Sequence, residues 1–477
     1  MLSLKVGTFG RTNLFAMRRL RTAFILISLL GASSFSSAQP NPAEIEEMLQ
    51  DFLADEGVPA IVACTVKGNE ITWMDAYGMA NIETDLPATV ETPFMIASVS
   101  KTITGAALQH ALNANGIGRN EAINDYLPFE VNHPASDVPI TFHMLFTHTA
   151  AIDDNWDVMP YCDGDCESVL EEFVEDYYTP GSGIYSASAN FHNYAPGTQY
   201  NYSNMGVTLA GYCVEAVTGI DFDAYCAEHF FEVLCMENTH WFLNQFSDIS
   251  EVAMPYYTWN EPEPFPVGHY GYQDYPDGQL RSSARDMGHW MIMWLNEGGF
   301  GGNQVMSTLQ VNDALSDQFG GDQGLIWYEE TLAQTEVWMH NGGDQGVTSD
   351  LVIEPESESG FVLISNGEAY HDDLLDTMME FALSLEPDGS GVPACLTVGI
   401  SDQGGESMSL YPNPSAGATI VTGVESGTTL AVYSSDGRLV STSFVSSGRH
   451  EFSGFAPGLY HIRSSDPHVK SIRWVVR

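Results

Sequence analysis

Apolar residues recur at helical spacing over residues 42–54 (Ile45, Met48, Leu49, Phe52, Leu53), which predicts a helix with one buried stripe. The pattern then shortens to two runs, 59–66 and 70–77, joined by Lys67-Gly68-Asn69. That is the pattern of two strands and a tight turn. A turn-rich passage leads into a helix that opens near Ser98 and ends near Gly116, and 140–152 reads as a short helix. The segment 153–200 is rich in Asp, Tyr, Ser and Gly and is expected to be a long irregular insertion. Helical spacing returns over 204–218, 222–233 and 283–297, whereas 255–280, crowded with Pro, Tyr and Gly, reads as loop. Strand-like runs at 336–340 and 348–353 are joined by Asn341-Gly342-Gly343-Asp344-Gln345-Gly346; 361–366 is a further strand and 371–385 a closing helix. The expectation is an α/β (α+β) fold in which helices flank a sheet and a helical subdomain sits in the middle.

Residues 386–408 mix Pro, Gly, Ser and Asp as a linker does, and beyond them the character changes. Short alternating runs at 419–422, 429–433, 439–444, 458–464 and 471–476 predict a small β-sandwich over 409–477. No internal repeat is visible. At the other end Arg18, Arg19 and Arg21 precede the apolar run 23–30, and small residues follow to Ala38. This predicts a signal peptide over 1–38, with Met17 as a possible true start and an apolar run too short to span a membrane permanently. No later segment has the uninterrupted apolar length of a membrane span, so stable membrane insertion is not expected.

Charge narrows the partners. The net charge is −47. Between 39 and 404 there are 58 acidic residues and five basic ones, Lys67, Lys101, Arg119, Arg281 and Arg285. A surface so acidic repels nucleic acid and anionic membranes, and fits solubility in a salty exterior where the charge is screened. The tail is nearly balanced, with six basic and five acidic residues after 404. Seven cysteines suit an oxidising compartment but cannot all pair. Cys162 with Cys166, and Cys226 with Cys235, are the candidate pairs; Cys64 and Cys213, in apolar surroundings, read as buried thiols. No spacing argues for zinc, and the acids Asp153, Asp154 and Asp157 with Asn155 read as solvated rather than calcium-binding.

The chemistry concentrates at Ser98-Val99-Ser100-Lys101. Residues three apart share a helix face, which sets the hydroxyl of Ser98 beside the amine of Lys101. A serine hydroxyl attacks poorly until a base takes its proton, and a desolvated lysine is such a base. Two further signals follow in order: Tyr200-Asn201-Tyr202-Ser203-Asn204-Met205-Gly206, and His340-Asn341-Gly342-Gly343 at a strand end. Together with Leu145-Phe146-Thr147-His148-Thr149-Ala150-Ala151-Ile152, Pro196-Gly197 and Gly278-Gln279-Leu280-Arg281-Ser282-Ser283-Ala284-Arg285-Asp286-Met287, they resemble the serine β-lactamase and penicillin-binding protein superfamily. The nearest group is that of class C β-lactamases, D-alanyl-D-alanine carboxypeptidases, D-aminopeptidases and related esterases, and the resemblance covers roughly 42–385.

The resemblance implies a serine hydrolase domain over 39–385 that uses no metal or organic cofactor. By position, Ser98 is the acylated nucleophile, and Lys101 takes its proton or holds the charge that lowers its pKa. Tyr202 protonates the leaving group and activates the deacylating water. Asn204 orients the substrate amide or Lys101. The oxyanion hole comes from the N–H groups of Ser98 and Gly343, with Gly342 and Gly343 letting the backbone approach. Histidine at position 340 departs from the lysine of K-T-G, and is charged only near or below pH ~6.5. That points to an esterase or carboxypeptidase rather than an efficient β-lactamase, on ester, D-amino-acid peptide or lactam substrates. His148 is expected to be structural. The alternative is a catalytically silent protein that uses the same pocket to sense peptidoglycan peptides or to adhere. In the tail, Leu410-Tyr411-Pro412-Asn413-Pro414-Ser415, Val432-Tyr433-Ser434-Ser435-Asp436-Gly437-Arg438, Gly458-Leu459-Tyr460 and the terminal strand resemble the C-terminal sorting domain of type IX secretion in Bacteroidetes. Its implied partner is the type IX machinery, and the implied location is secreted or cell-surface.

Overall fold

The structure, a computed structural model, describes residues 39–391 except 168, 260 and 262, then Pro393 and, from 409 onward, seven strands with a few adjoining residues. The signal-like segment 1–38, Cys395, most of the 386–408 linker and Pro412-Asn413-Pro414-Ser415 lie outside the described residues. Helix α1 (Pro42–Glu56) opens the described chain. Asn41 and Glu44 cap each other's backbone N–H groups at its start, and Gly57 closes it at φ +67°. Strands β1 (Ala60–Lys67), β2 (Glu70–Asn81) and β3 (Leu86–Pro87) follow, then helix α2 (Ser100–Asn115). Helices α3 (Asn204–Thr218) and α4 (Ala284–Leu295) come next. The domain ends with β4 (Tyr328–Leu332), β5 (Thr335–Asp344), β6 (Val347–Glu354), β7 (Ser359–Ser365) and helix α5 (Asp372–Ser384).

The seven strands form one sheet in the order β4-β5-β6-β7-β1-β2-β3, antiparallel throughout. Closing it requires β1, from the start of the domain, to pair with β7, from its end. Both faces are covered, and β1 shows how a period of two serves both. Ala60, Val62, Cys64 and Val66 face the cluster that contains α4 and the helical subdomain, while Ile61 and Ala63 face α1 and α5. Helix α4 lies so near the sheet that a β-carbon on Gly288 would stand 2.9 Å from Cys64 Sγ. The tail's seven strands form a three-stranded and a four-stranded sheet. Val421 and Phe452 of one share an apolar cluster with Leu430, Val432 and Ile462 of the other, the arrangement of a small sandwich.

Several expectations need correction. The 153–200 insertion is not wholly irregular: Leu170–Tyr178 is a helix that buries Leu170, Phe173, Val174, Tyr177 and Tyr178, a spacing the surrounding Asp, Ser and Gly obscured. The 222–233 helix is α only over Phe222–Cys226 and continues through a wider turn at Ala227–Phe231. The helix in 140–152 is confined to Phe142–Phe146, and 255–280 contains three short strands. Strand β4 was not expected, and β5 runs through the glycines to Asp344 rather than ending at His340. Cys162 and Cys166 are bonded. Cys226, however, is a free buried thiol like Cys64 and Cys213, and Cys235 is in a different disulfide. Among the described residues no helix is long and apolar enough to cross a membrane, and no group of three His, Cys, Asp or Glu is placed to hold a metal ion.

Candidate active site

Ser98 stands in a single 3₁₀ turn, Ala97–Val99, that leads into α2. From Thr92 to Gln109 every residue is buried except Ser98, which is partly exposed. The turn is bent by Ala97, at φ +45°, a conformation alanine rarely adopts. It persists because its neighbours are tied down. Ile96 N–H donates to Leu280 O at 2.9 Å, Ile96 O accepts from Ser349 Oγ at 2.7 Å, and Leu280 N–H donates to Ser100 Oγ at 3.2 Å.

Lys101 has no exposed surface. Its Nζ is 3.0 Å from Ser98 Oγ and also donates to Asp277 O. The loop carrying Asp277 is held along α2 by Thr104, whose hydroxyl donates to Pro276 O at 2.6 Å. The Tyr202 ring lies 5.0 Å from Lys101 Nζ, so hydroxyl, amine and phenol share one place. Tyr202 also stacks on His148, with centroids 4.6 Å apart. Ser203 N–H donates to His148 Nδ1 at 3.2 Å. Burial and the neighbouring Lys101 lower the His148 pKa to about 3, so the ring is a neutral support for the phenol. Sequence reasoning set His148 aside as structural; the structure makes it a positioning residue for Tyr202. The signal available was its place in the Leu145–Ile152 stretch.

Asn204 begins α3 but does not reach toward Lys101 with its amide NH₂, which goes to Asp154 Oδ2 at 2.9 Å. Asp154 also accepts from Asn204 N, Met205 N and Ser203 Oγ at 2.9–3.1 Å. A carboxylate at a helix N-terminus satisfies otherwise orphaned N–H groups. The acid read as solvated therefore anchors the Tyr202-Ser203-Asn204 turn. Its bonds also fix the orientation of the Asn204 amide, whose buried Oδ1 has no hydrogen-bond partner among the described residues.

Strand β5 brings the third motif against Ser98. A β-carbon on Gly342 would lie 2.5 Å from Ile96 O, 2.5 Å from Ser349 Oγ and 3.0 Å from Ser98 N. Only glycine permits that approach. Gly343, next along, faces open space. His340 is buried, its ring 6.2 Å from that of Tyr202. Its Nδ1–H donates to Asn341 O at 2.7 Å. Burial first, then Lys101, lowers its pKa to about 3. The expectation of a histidine charged near pH 6.5 is thus corrected: His340 is neutral above about pH 4. The structure brings Ser98, Lys101, Tyr202, His340, Gly342 and Gly343 together, with Asn204 held one step back by Asp154.

Comparison with known proteins bears on the family and the fold. The Beta-lactamase family profile matches residues 45–381. "Beta-lactamase-like protein 2" of Dictyostelium discoideum is 24% identical over 288 residues, 57% of this chain and 48% of that protein. "Protein flp" of Staphylococcus aureus strain MW2 is 20% identical over 326 residues, 68% of this chain and 62% of that protein. The match thus spans about half to three-fifths of these relatives. Among solved structures, the octameric penicillin-binding protein homologue from Pyrococcus abyssi superposes with a TM-score of 0.59 at 18% identity, covering 88% of this chain and 97% of that one. The D-amino acid amidase from Ochrobactrum anthropi gives 0.57 at 20% identity, covering 70% and 96%. These structures share the fold. With a family profile spanning most of its length, this chain belongs to the beta-lactamase family.

Proposed function

We propose that the chain is a serine hydrolase that works through an acyl-enzyme on Ser98. The observation that carries this is the 3.0 Å contact between the partly exposed Ser98 hydroxyl and the fully buried Lys101 amine. Lys101 Nζ takes the hydroxyl proton as Oγ bonds to the acyl carbon. The developing oxyanion sits between the N–H groups of Ser98 and Gly343, each donor typically worth about 3–4 kcal/mol in the transition state. Tyr202 passes a proton to the departing oxygen or nitrogen, and water later cleaves the ester on Ser98. The substrate class is ester, D-amino-acid peptide or lactam, with esterase or carboxypeptidase chemistry favoured over efficient β-lactam hydrolysis, because His340 supplies no cation. Export through a signal peptide, and passage across the outer membrane by type IX machinery acting on the C-terminal sandwich, complete the reading. The test is intact mass after incubation with benzylpenicillin and with an aryl ester, using wild type and Ser98→Ala. An adduct or turnover in wild type alone is expected. Binding retained with no turnover in either protein would favour a silent sensor.

Two outcomes follow from the supports of the site. Asp154→Asn replaces a pure acceptor with a group whose NH₂ must face N–H donors. The variant is expected to lower kcat about 10- to 100-fold while KM changes less, since misplacing a catalytic turn by ~1 Å costs on that order. Steady-state ester hydrolysis checks this; a loss confined to KM would contradict it. The second concerns pH. His148 and His340, with pKa values lowered to about 3, stay neutral from pH 4.5 to 9. The kcat/KM profile should therefore carry no limb near pH 6.5 due to either ring, and a limb there that disappears in His340→Asn would refute it. The sign for folding is the reverse of a salt-bridged histidine. Only the unfolded chain binds protons at these rings between pH ~6.5 and about 3, so native stability is lost as the pH falls through that window.

A further inference from the structure

We infer that the Ser98 site selects esters or amides whose leaving group bears no free carboxylate, neutral or cationic compounds being its substrates. The inference rests on the hydrolase reading above and divides it: the esterase side is kept, and the carboxypeptidase side, whose departing amino acid carries a free carboxylate, is rejected. Each of the five cations between residues 39 and 391 is already engaged. Lys67 Nζ lies 3.4 Å from Glu386 Oε1 and donates to Leu383 O. Arg119 pairs with Asp313, and Arg285 with Glu91. Arg281 is 1% exposed, and its guanidinium is spent on the carbonyls of Tyr270, Trp241 and Gln279. Lys101 is engaged by Ser98 Oγ and Asp277 O. No other Lys or Arg lies among the described residues 39–391. The ring at His340, where K-T-G has its lysine, gives its Nδ1–H to its own strand at 2.7 Å, and burial keeps it uncharged.

The rim adds a charge of the wrong sign for an anion. Asp344 follows Gly343 on β5, its carboxylate held by Tyr161 Oη–H at 2.7 Å and Gln345 N–H at 2.8 Å. Tyr161 belongs to the short strand Tyr161–Asp163 of the Cys162–Cys166 loop, which pairs with Tyr270–Tyr272. The acid is therefore fixed beside the oxyanion glycine rather than free to swing away. A leaving group with a carboxylate would approach a fixed negative charge with no ammonium or guanidinium to receive it, and losing its hydration there is unfavourable. Specificity of this kind is rejection by unpaired charge.

The test uses the full chain and two matched esters, m-carbamoylphenyl phenylacetate and m-carboxyphenyl phenylacetate, each corrected for its own hydroxide-catalysed rate. We expect kcat/KM to favour the carbamoyl ester by at least ~10-fold at low salt, and the gap to shrink in ~0.5 M salt, where the Debye length falls to a few ångströms. His340→Lys should narrow or reverse the ratio. Should that variant fail to fold, the wild-type ratio and its salt dependence decide alone. Equal rates, or preference for the carboxylate ester, overturn the inference while leaving the hydrolase reading intact. Turnover of neither ester with Ser98 unlabelled overturns both.

Discussion

Ser98→Ala is expected to lower ester turnover by about four orders of magnitude or more, and Lys101→Met to do nearly as much, because nucleophile and base act as one unit whose losses do not add. The double variant should therefore be little worse than either single one. The geometry makes the expectation specific. Lys101 Nζ donates to Ser98 Oγ and to the Asp277 carbonyl, and a methionine of similar volume keeps the packing while removing the proton acceptor. Binding of an unreactive amide analogue should survive in Ser98→Ala. If Ser98→Ala retained wild-type turnover, another group would be the nucleophile and the acyl-enzyme scheme would be wrong.

Gly342→Val is the second large effect. Its β-carbon would fall 2.5 Å from both Ile96 O and Ser349 Oγ, and neither can retreat. Ile96 is fixed by Leu280 through its own N–H, and Ser349 Oγ is already bonded to Ile96 O. The strand must move away from Ser98, carrying the Gly343 N–H with it. Loss of one oxyanion donor predicts a drop in kcat of about 10²- to 10³-fold. Overpacking predicts a stability loss of about 1–3 kcal/mol, read as a melting temperature lower by several degrees. Gly343→Ala is the control. Its β-carbon meets nothing within 4 Å, so the fold should be unchanged. Retention of full kcat by Gly342→Val would show that the close approach of β5 to Ser98 is dispensable.

Local pattern alone was enough for the elements whose burial is one-sided or complete. The stripe Ile45, Leu49 set α1, and the short, nearly unbroken apolar run of 60–66, buried on both faces, set β1. Three residue groups in order also announced the chemistry, since Ser98 and Lys101 are neighbours through one helical turn whatever the rest of the chain does. What sequence could not contain were the relations between distant residues. Asp154 looks like a solvated loop acid until Asn204, fifty positions on, is laid against it. Lys101 donates to the carbonyl of Asp277, 176 positions away. The glycines after His340 read as a turn, yet they stay in a strand because Gly342 and Gly343 pair with Ser349 and Thr348 of β6. The charge of His340 was likewise decided by the fold: burial first, and then the nearby Lys101, penalise its protonated form, and neither is visible from the residues beside it.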